Sequence, residues 1–266
     1  MNGPSLVQAL APSHWPTLVL VSARIVGLML AAPLWSMTGV PRSVRGGMVV
    51  LYTAAVLPTV SETRLPDDYL GLLVPLATEL TLGLAIGLVG AVFTAGVGVA
   101  GEVASMQMGL NLGPALSPMA EGATSGVGEI KNLLALAIYV TLGGHLVLLA
   151  GVARSLDAIP PGGTIDAVRG GTAIVALAGT IFDVAVRAAA PVIAALLLAN
   201  FALAILSRAV PQLQAMAIAF PITIGLGFLV MGAALPFTGA FVGEWVGTLP
   251  GTVARTVGAF VPAGGH

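Results

Sequence analysis

Between Gly171 and Arg208 the chain carries two charged side chains, Asp183 and Arg187, in a stretch dominated by alanine, valine, leucine and isoleucine. That feature restricts the fold severely. Backbone N–H and C=O groups held away from water must find partners, and a helix supplies all of them within one segment. A membrane barrel needs apolar and polar residues alternating over about ten positions. Continuous apolar blocks such as Leu146 to Val152 and Val192 to Leu198 lack that alternation, so helices are expected.

Five further runs have the same character. Crossing a hydrocarbon core of about 30 Å takes roughly 20 apolar residues in a helix. Apolar runs lie near 17–34, 46–60, 70–100, 132–153, 172–206 and 212–235, with a further apolar tail at 237–261. The expected fold is all-α: a polytopic membrane protein of about six long hydrophobic helices arranged as packed hairpins. Residues 1–236 are expected as one helical membrane domain and 237–266 as an apolar C-terminal helix or tail. The runs are uneven, since 70–100 and 172–206 exceed one crossing and 46–60 falls short of one. Composition agrees. Hydrophobic residues make up 57% and charged residues 8% of the 266. Soluble domains average about 45–50% and about 25%. Ten basic and eleven acidic side chains are too few to cover a water-facing surface of this size.

Several function classes recede. The net charge of -1 offers no basic footprint for nucleic acid. With no cysteine, disulfides, thiol catalysis and thiolate metal sites are excluded. The N-terminus has no basic region ahead of its first apolar run, so that run is expected to persist in the mature protein. Lys131 is the chain's one lysine. With six crossings, one side would receive Arg42, Arg45, Lys131 and Arg208 and the other Arg64, Arg154, Arg169 and Arg255. That balance gives no orientation.

Gly96, Gly98 and Gly101 spell GxGxxG, but a dinucleotide site needs that motif between a strand and a helix. Here it ends an apolar helical run, so a glycine face for close helix packing is the better reading, shared with Gly83 and Gly87. His14, His145 and His266 lack metal-ligand spacing, and neither a phosphate-binding loop nor a nucleophile elbow is present. No catalytic residue, cofactor or metal is expected, and the chain is not expected to be an enzyme. The charges inside apolar runs carry more information, because each costs roughly 2.5–3.5 kcal/mol at mid-bilayer without a partner. Asp183 and Arg187 are four apart, on one helix face, and are expected as a buried pair. Arg24 and Glu79 have no local partner and are left to pair between helices or with other subunits. Assembly or a lumen wall is preferred to an ion path, since a proton relay shows more acidic groups. The 101–129 segment is too apolar for a solvated linker and too rich in glycine and proline for one helix. Its Met106, Met108 and Met119 suit irregular gaps, and its backbone reads equally as a re-entrant loop or as an ordinary surface loop.

Read together, particular stretches resemble a known family. They are Ala32-Pro33; Val40-Pro41-Arg42 with Arg45; Leu57-Pro58; Glu79 with Gly83 and Gly87; Gln107-Met108-Gly109; Gly143-Gly144-His145; Ser155 and Pro160; and Ser207-Arg208-Ala209-Val210-Pro211-Gln212 before Phe220-Pro221. Their order and spacing over about 20–235 resemble the FliR/SctT family of type III export-gate membrane subunits. The resemblance implies a structural channel subunit that assembles with FliP-like and FliQ-like subunits, joined by FlhB-like and FlhA-like proteins. It would sit in the bacterial inner membrane at the flagellar basal body, in contact with lipid and passing unfolded flagellar proteins outward. An injectisome subunit of the SctT type and, further off, a small-solute transporter are the competing readings. The resemblance also implies that the loop after the third run closes the pore, through Met106, Gln107, Met108, Gly109, Pro114, Pro118 and Met119. Ser117-Pro118 stands where that family leads one to expect Asp-Pro. Arg24, Glu79, Asp183, Arg187 and Arg208 are expected in buried or assembly contacts, and Gly83, Gly87, Pro211, Phe220 and Pro221 at helix-packing positions.

Overall fold

The computed structural model describes residues 15–37, 39–60, 69–110, 126–209 and 215–262. All regular structure among them is helical. Helix α1 is Trp15–Ala31, α2 Pro33–Ser36, α3 Arg42–Val56, α4 Tyr69–Gln107, α5 Gly126–Thr141, α6 Gly144–Ala158, α7 Ala167–Ala209, α8 Ala215–Ala233 and α9 Leu235–Phe260.

Prolines and glycines set many of the boundaries. Pro33 pushes Ala32 out of the helical region, to ψ 135°, and then occupies the first turn of α2. Pro41 is itself the residue that caps α3, with ψ 143°, and Pro58 lies in a short 3-10 turn, Leu57–Thr59, that follows α3. The run at 132–153, read from sequence as one element, is two. Gly143 takes φ +74°, a left-handed conformation that ends α5 and starts α6. The last run and the tail are likewise divided, at Ala234, between α8 and α9. The 101–129 segment keeps helix further than expected, since α4 runs to Gln107 before turning.

Among the described residues two helices, α4 and α7, are long and apolar enough to cross a membrane alone. The count rises to four if each bent pair, α5–α6 and α8–α9, is one span. Pro75 and Pro191 lie within α4 and α7.

The chain forms two compact units. The first draws on Met1–Val92, Val140–Ala178 and Val246–His266. Its core holds Leu20, Ile25, Leu28, Leu82, Ile86, Leu148 and Phe260, all at most 2% exposed. Here α1 and α4 touch backbone to backbone. A Cβ on Gly83 would strike the Arg24 carbonyl, and one on Gly87 would lie 2.7 Å from the Leu28 carbonyl oxygen. Tyr52 of α3 donates to the Leu149 carbonyl of α6.

The second unit draws on Phe93–Tyr139 and Gly179–Trp245. Phe93 stacks on Trp245 with ring centroids 4.0 Å apart, and Tyr139 and Phe241 flank the pair. Gly96 meets Val184, and Gly101 meets the backbone of Gly128. Ala104, Met108, Val192 and Leu196 form a buried cluster against Ile224, Leu226, Val230 and Met231.

Candidate functional site

Glu79, Gly83 and Gly87 recur every four residues and so share one face of α4. The two glycines bring α1 close, and that closeness delivers Arg24 to Glu79. Arg24 Nε lies 2.6 Å from Glu79 Oε2 and Nη2 lies 3.1 Å from Oε1, so the carboxylate is gripped at both oxygens. Two further N–H groups are used: Nη1 donates to Ser155 Oγ of α6 at 2.9 Å, and Nη2 to the Ile159 carbonyl at 2.9 Å. Glu79 Oε1 accepts from the Gly162 N–H at 3.0 Å. Both charged side chains are fully buried. The network therefore ties α1, α4, α6 and the 159–163 connection through one point. Gly162 reaches its place with φ +75°, where a side chain would be strained. Charges removed from water are tolerated when their polar atoms find partners, and here all three guanidinium nitrogens and both carboxylate oxygens have one. Nothing in this cluster is left open to a ligand, and its chemistry is that of a fastening.

The second ion pair contrasts with it. Arg187 Nε donates to Asp183 Oδ1 at 3.0 Å, as the spacing predicts. The expectation of burial fails within the chain, because the two side chains are 65% and 61% exposed.

Lys131, counted from sequence among the basic residues on one side of the crossings, lies inside α5 at 5% exposure. Its Nζ donates to the Ala188 carbonyl of α7 at 3.2 Å. A lone lysine flanked by apolar residues at helical spacing is the available signal in the sequence.

Of the loop residues singled out, Met106 and Gln107 finish α4, and Met106 is exposed. Met108 is fully buried against Gly227 of α8, where an added Cβ would come within 2.6 Å of its side chain. Gly109 turns with φ +76°. Pro114, Pro118, Met119 and Pro211 lie outside the described residues. Arg208 is exposed in the last turn of α7, where a cation complements the helix dipole. Pro221 lies inside α8 and is exposed, so within the chain it is not the packing position expected. Phe220 is placed on α8 by its backbone. Gly96, Gly98 and Gly101 all sit within α4, which removes the strand-to-helix setting a dinucleotide motif requires. Among the described residues no group of histidine and acidic side chains is arranged to hold a metal ion.

The sequence model of the family described as bacterial export proteins, family 1, matches residues 15–249. The chain belongs to that family. Relatives of the bacterial export family 1 agree along most of their length. The flagellar biosynthetic protein FliR of Escherichia coli (strain K12) is 30% identical over 227 residues, 85% of each chain. That of Pectobacterium carotovorum subsp. carotovorum is 28% identical over 240 residues, 90% of each. That of Bacillus subtilis (strain 168) is 25% identical over 227 residues, 82% of this chain and 85% of the relative. The Arg24–Glu79 fastening, Lys131 and the Asp183–Arg187 pair all fall within the family match, whose end at 249 lies inside α9.

Proposed function

We propose that the chain is a structural subunit of the flagellar type III protein export gate. It acts in the bacterial inner membrane at the basal body, beside FliP-like and FliQ-like subunits and FlhB-like and FlhA-like proteins. Its work is to help form a conduit for unfolded flagellar proteins, and it performs no catalysis itself. The flagellar role named for its relatives favours this over an injectisome subunit.

One observation carries the proposal beyond the relatives' names. Exposed apolar side chains occur along α7 from Val168 and Val175 through Phe182, Val186, Leu197, Leu198 and Phe201 to Ile205. At 1.5 Å per residue that is about 55 Å of helix. A hydrocarbon core of about 30 Å cannot cover an upright helix of that length. Other subunits would cover the remainder.

Native mass spectrometry after co-expression with FliP-like and FliQ-like subunits tests this. A discrete complex retaining the chain is expected, and a lone monomer would overturn the reading. The same reading gives the 106–122 segment a role in closing the pore. Replacing it with a short flexible linker is expected to raise ion leakage through the assembled complex, and an unchanged leak would remove that role.

A further inference from the structure

The buried face of α5 runs Val127, Gly128, Lys131, Ala135 and Tyr139, so Lys131 occupies a core register and is the one charge in it. An ammonium has three donors. One goes to the Ala188 carbonyl. That carbonyl lies one residue beyond that of Arg187, which loses its i+4 donor to Pro191 inside α7. Neither the Arg24–Glu79 nor the Asp183–Arg187 ion pair involves Lys131. Asp183 is taken by Arg187, and Glu129, two positions away on the same helix, does not face it.

Beside Lys131 opens a small cleft. Its walls are Ile130, Lys131 and Leu134 of α5, with Met231 and Thr238 among those facing them. None of its lining residues is acidic. Of its lining side chains Ile130 and Leu235 are exposed. The arrangement is a cleft with apolar walls and one buried lysine in its lining. A charge so placed is tolerated when a matched anion meets it, and an apolar surround keeps water from that contact.

We propose that this cleft receives a single carboxylate carried on an otherwise apolar helix of a neighbouring subunit. This rests on the reading of the chain as one subunit of an assembly. The apolar walls supply contact area, and the cation selects the helix and fixes its register, because one buried charge pair excludes neighbouring alignments.

The test uses the complex purified from membranes after co-expression, compared for wild type, Lys131→Met, Lys131→Gln and Lys131→Glu. Gln keeps a donor for the Ala188 carbonyl and removes the charge. It is expected to leave the helicity and membrane insertion of the chain unchanged while lowering recovery of the complex at least about tenfold. A scan that changes each acidic residue on the apolar helices of the co-purifying subunits to lysine should find one position that restores assembly of Lys131→Glu. Recovery of Lys131→Gln within about twofold of wild type would overturn the proposal. So would rescue of Lys131→Glu by Glu121→Lys in this chain and by no partner position, since the cation would then be closed by the chain's own carboxylate. Failure of the wild type to assemble would overturn both this and the subunit reading. Normal wild-type assembly with an indifferent Lys131 would overturn this alone.

Discussion

Helices α4 and α7 are close to interchangeable on paper and opposite in the molecule. Both are far longer than one bilayer crossing, at 39 and 43 residues, both are strongly apolar, and both carry a proline and ionisable side chains. In the most apolar 18-residue stretch of each, 67% is buried in α4 and 22% in α7. The difference lies in what the rest of the chain presents to them. Helix α4 has glycines where α1 approaches, and its Glu79 meets an arginine from another helix. Helix α7 pairs Asp183 with Arg187 one turn away and shows much of its apolar surface outward. Hydropathy measures what a segment avoids, which is water. It does not say whether the same chain, another subunit or lipid will provide the shelter.

Breaking the α4 fastening should produce the largest effect. Arg24→Met or Glu79→Gln leaves its former partner buried without full compensation, at a cost of about 3–5 kcal/mol. The double variant Arg24→Met with Glu79→Met should recover much of that loss, because no unpaired charge remains. Unfolding in mild detergent, followed by circular dichroism, measures both. Equal losses in the single and double variants would mean that packing, not charge pairing, holds this point.

Next comes the glycine contact that makes the fastening possible. Gly83→Ala places a methyl group against the Arg24 carbonyl, and backbone cannot yield as a side-chain end can. The expected cost is about 1–3 kcal/mol, with α1 and α4 pushed apart. Cysteine pairs across that contact, in a chain with no native cysteine, would report the separation as slower cross-linking.

How much of this was legible in the sequence follows the same division. Helices, several of their ends at prolines, and the Glu79, Gly83, Gly87 stripe are local properties and could be read from spacing. So could the Asp183–Arg187 pair, because four residues make one helical turn and a little more. The Arg24–Glu79 pair spans 55 positions and depends on α1 and α4 packing at a particular register, which spacing does not encode. The break at Gly143 was hidden because glycine is common in apolar membrane helices, and only its backbone angle shows a terminus there. The exposure of Asp183 and Arg187 was the least legible feature. An apolar neighbourhood in sequence suggests burial, yet the two side chains are 65% and 61% exposed.

A smaller effect of opposite sign separates open glycines from packed ones on α4. Nothing lies within 4 Å of a Cβ built on Gly98, whereas one on Gly96 would run into Val184. Gly98→Ala should therefore stabilise the isolated chain by about 0.5–1 kcal/mol through helix propensity, and Gly96→Ala should destabilise it. Thermal unfolding of the two variants side by side reads the sign directly.

The smallest effect in the isolated chain belongs to α7, and it sharpens the comparison most. As an exposed i,i+4 pair, Asp183 and Arg187 should contribute only about 0.3–0.5 kcal/mol, so Asp183→Asn or Arg187→Gln should leave the chain's stability nearly unchanged. Yet the pair sits among Phe182, Val186 and Leu197, a surface that is expected to be covered in the assembly. Once covered by protein, the same pair would behave like Arg24 and Glu79, and removing one partner would weaken the complex far more than the subunit. Measuring complex recovery and subunit stability on the same variants separates the two. A large loss in the complex alone means that α7 is sheltered by another protein at this point. No loss in either means that it faces lipid or water, and that the partner surface lies elsewhere along the helix.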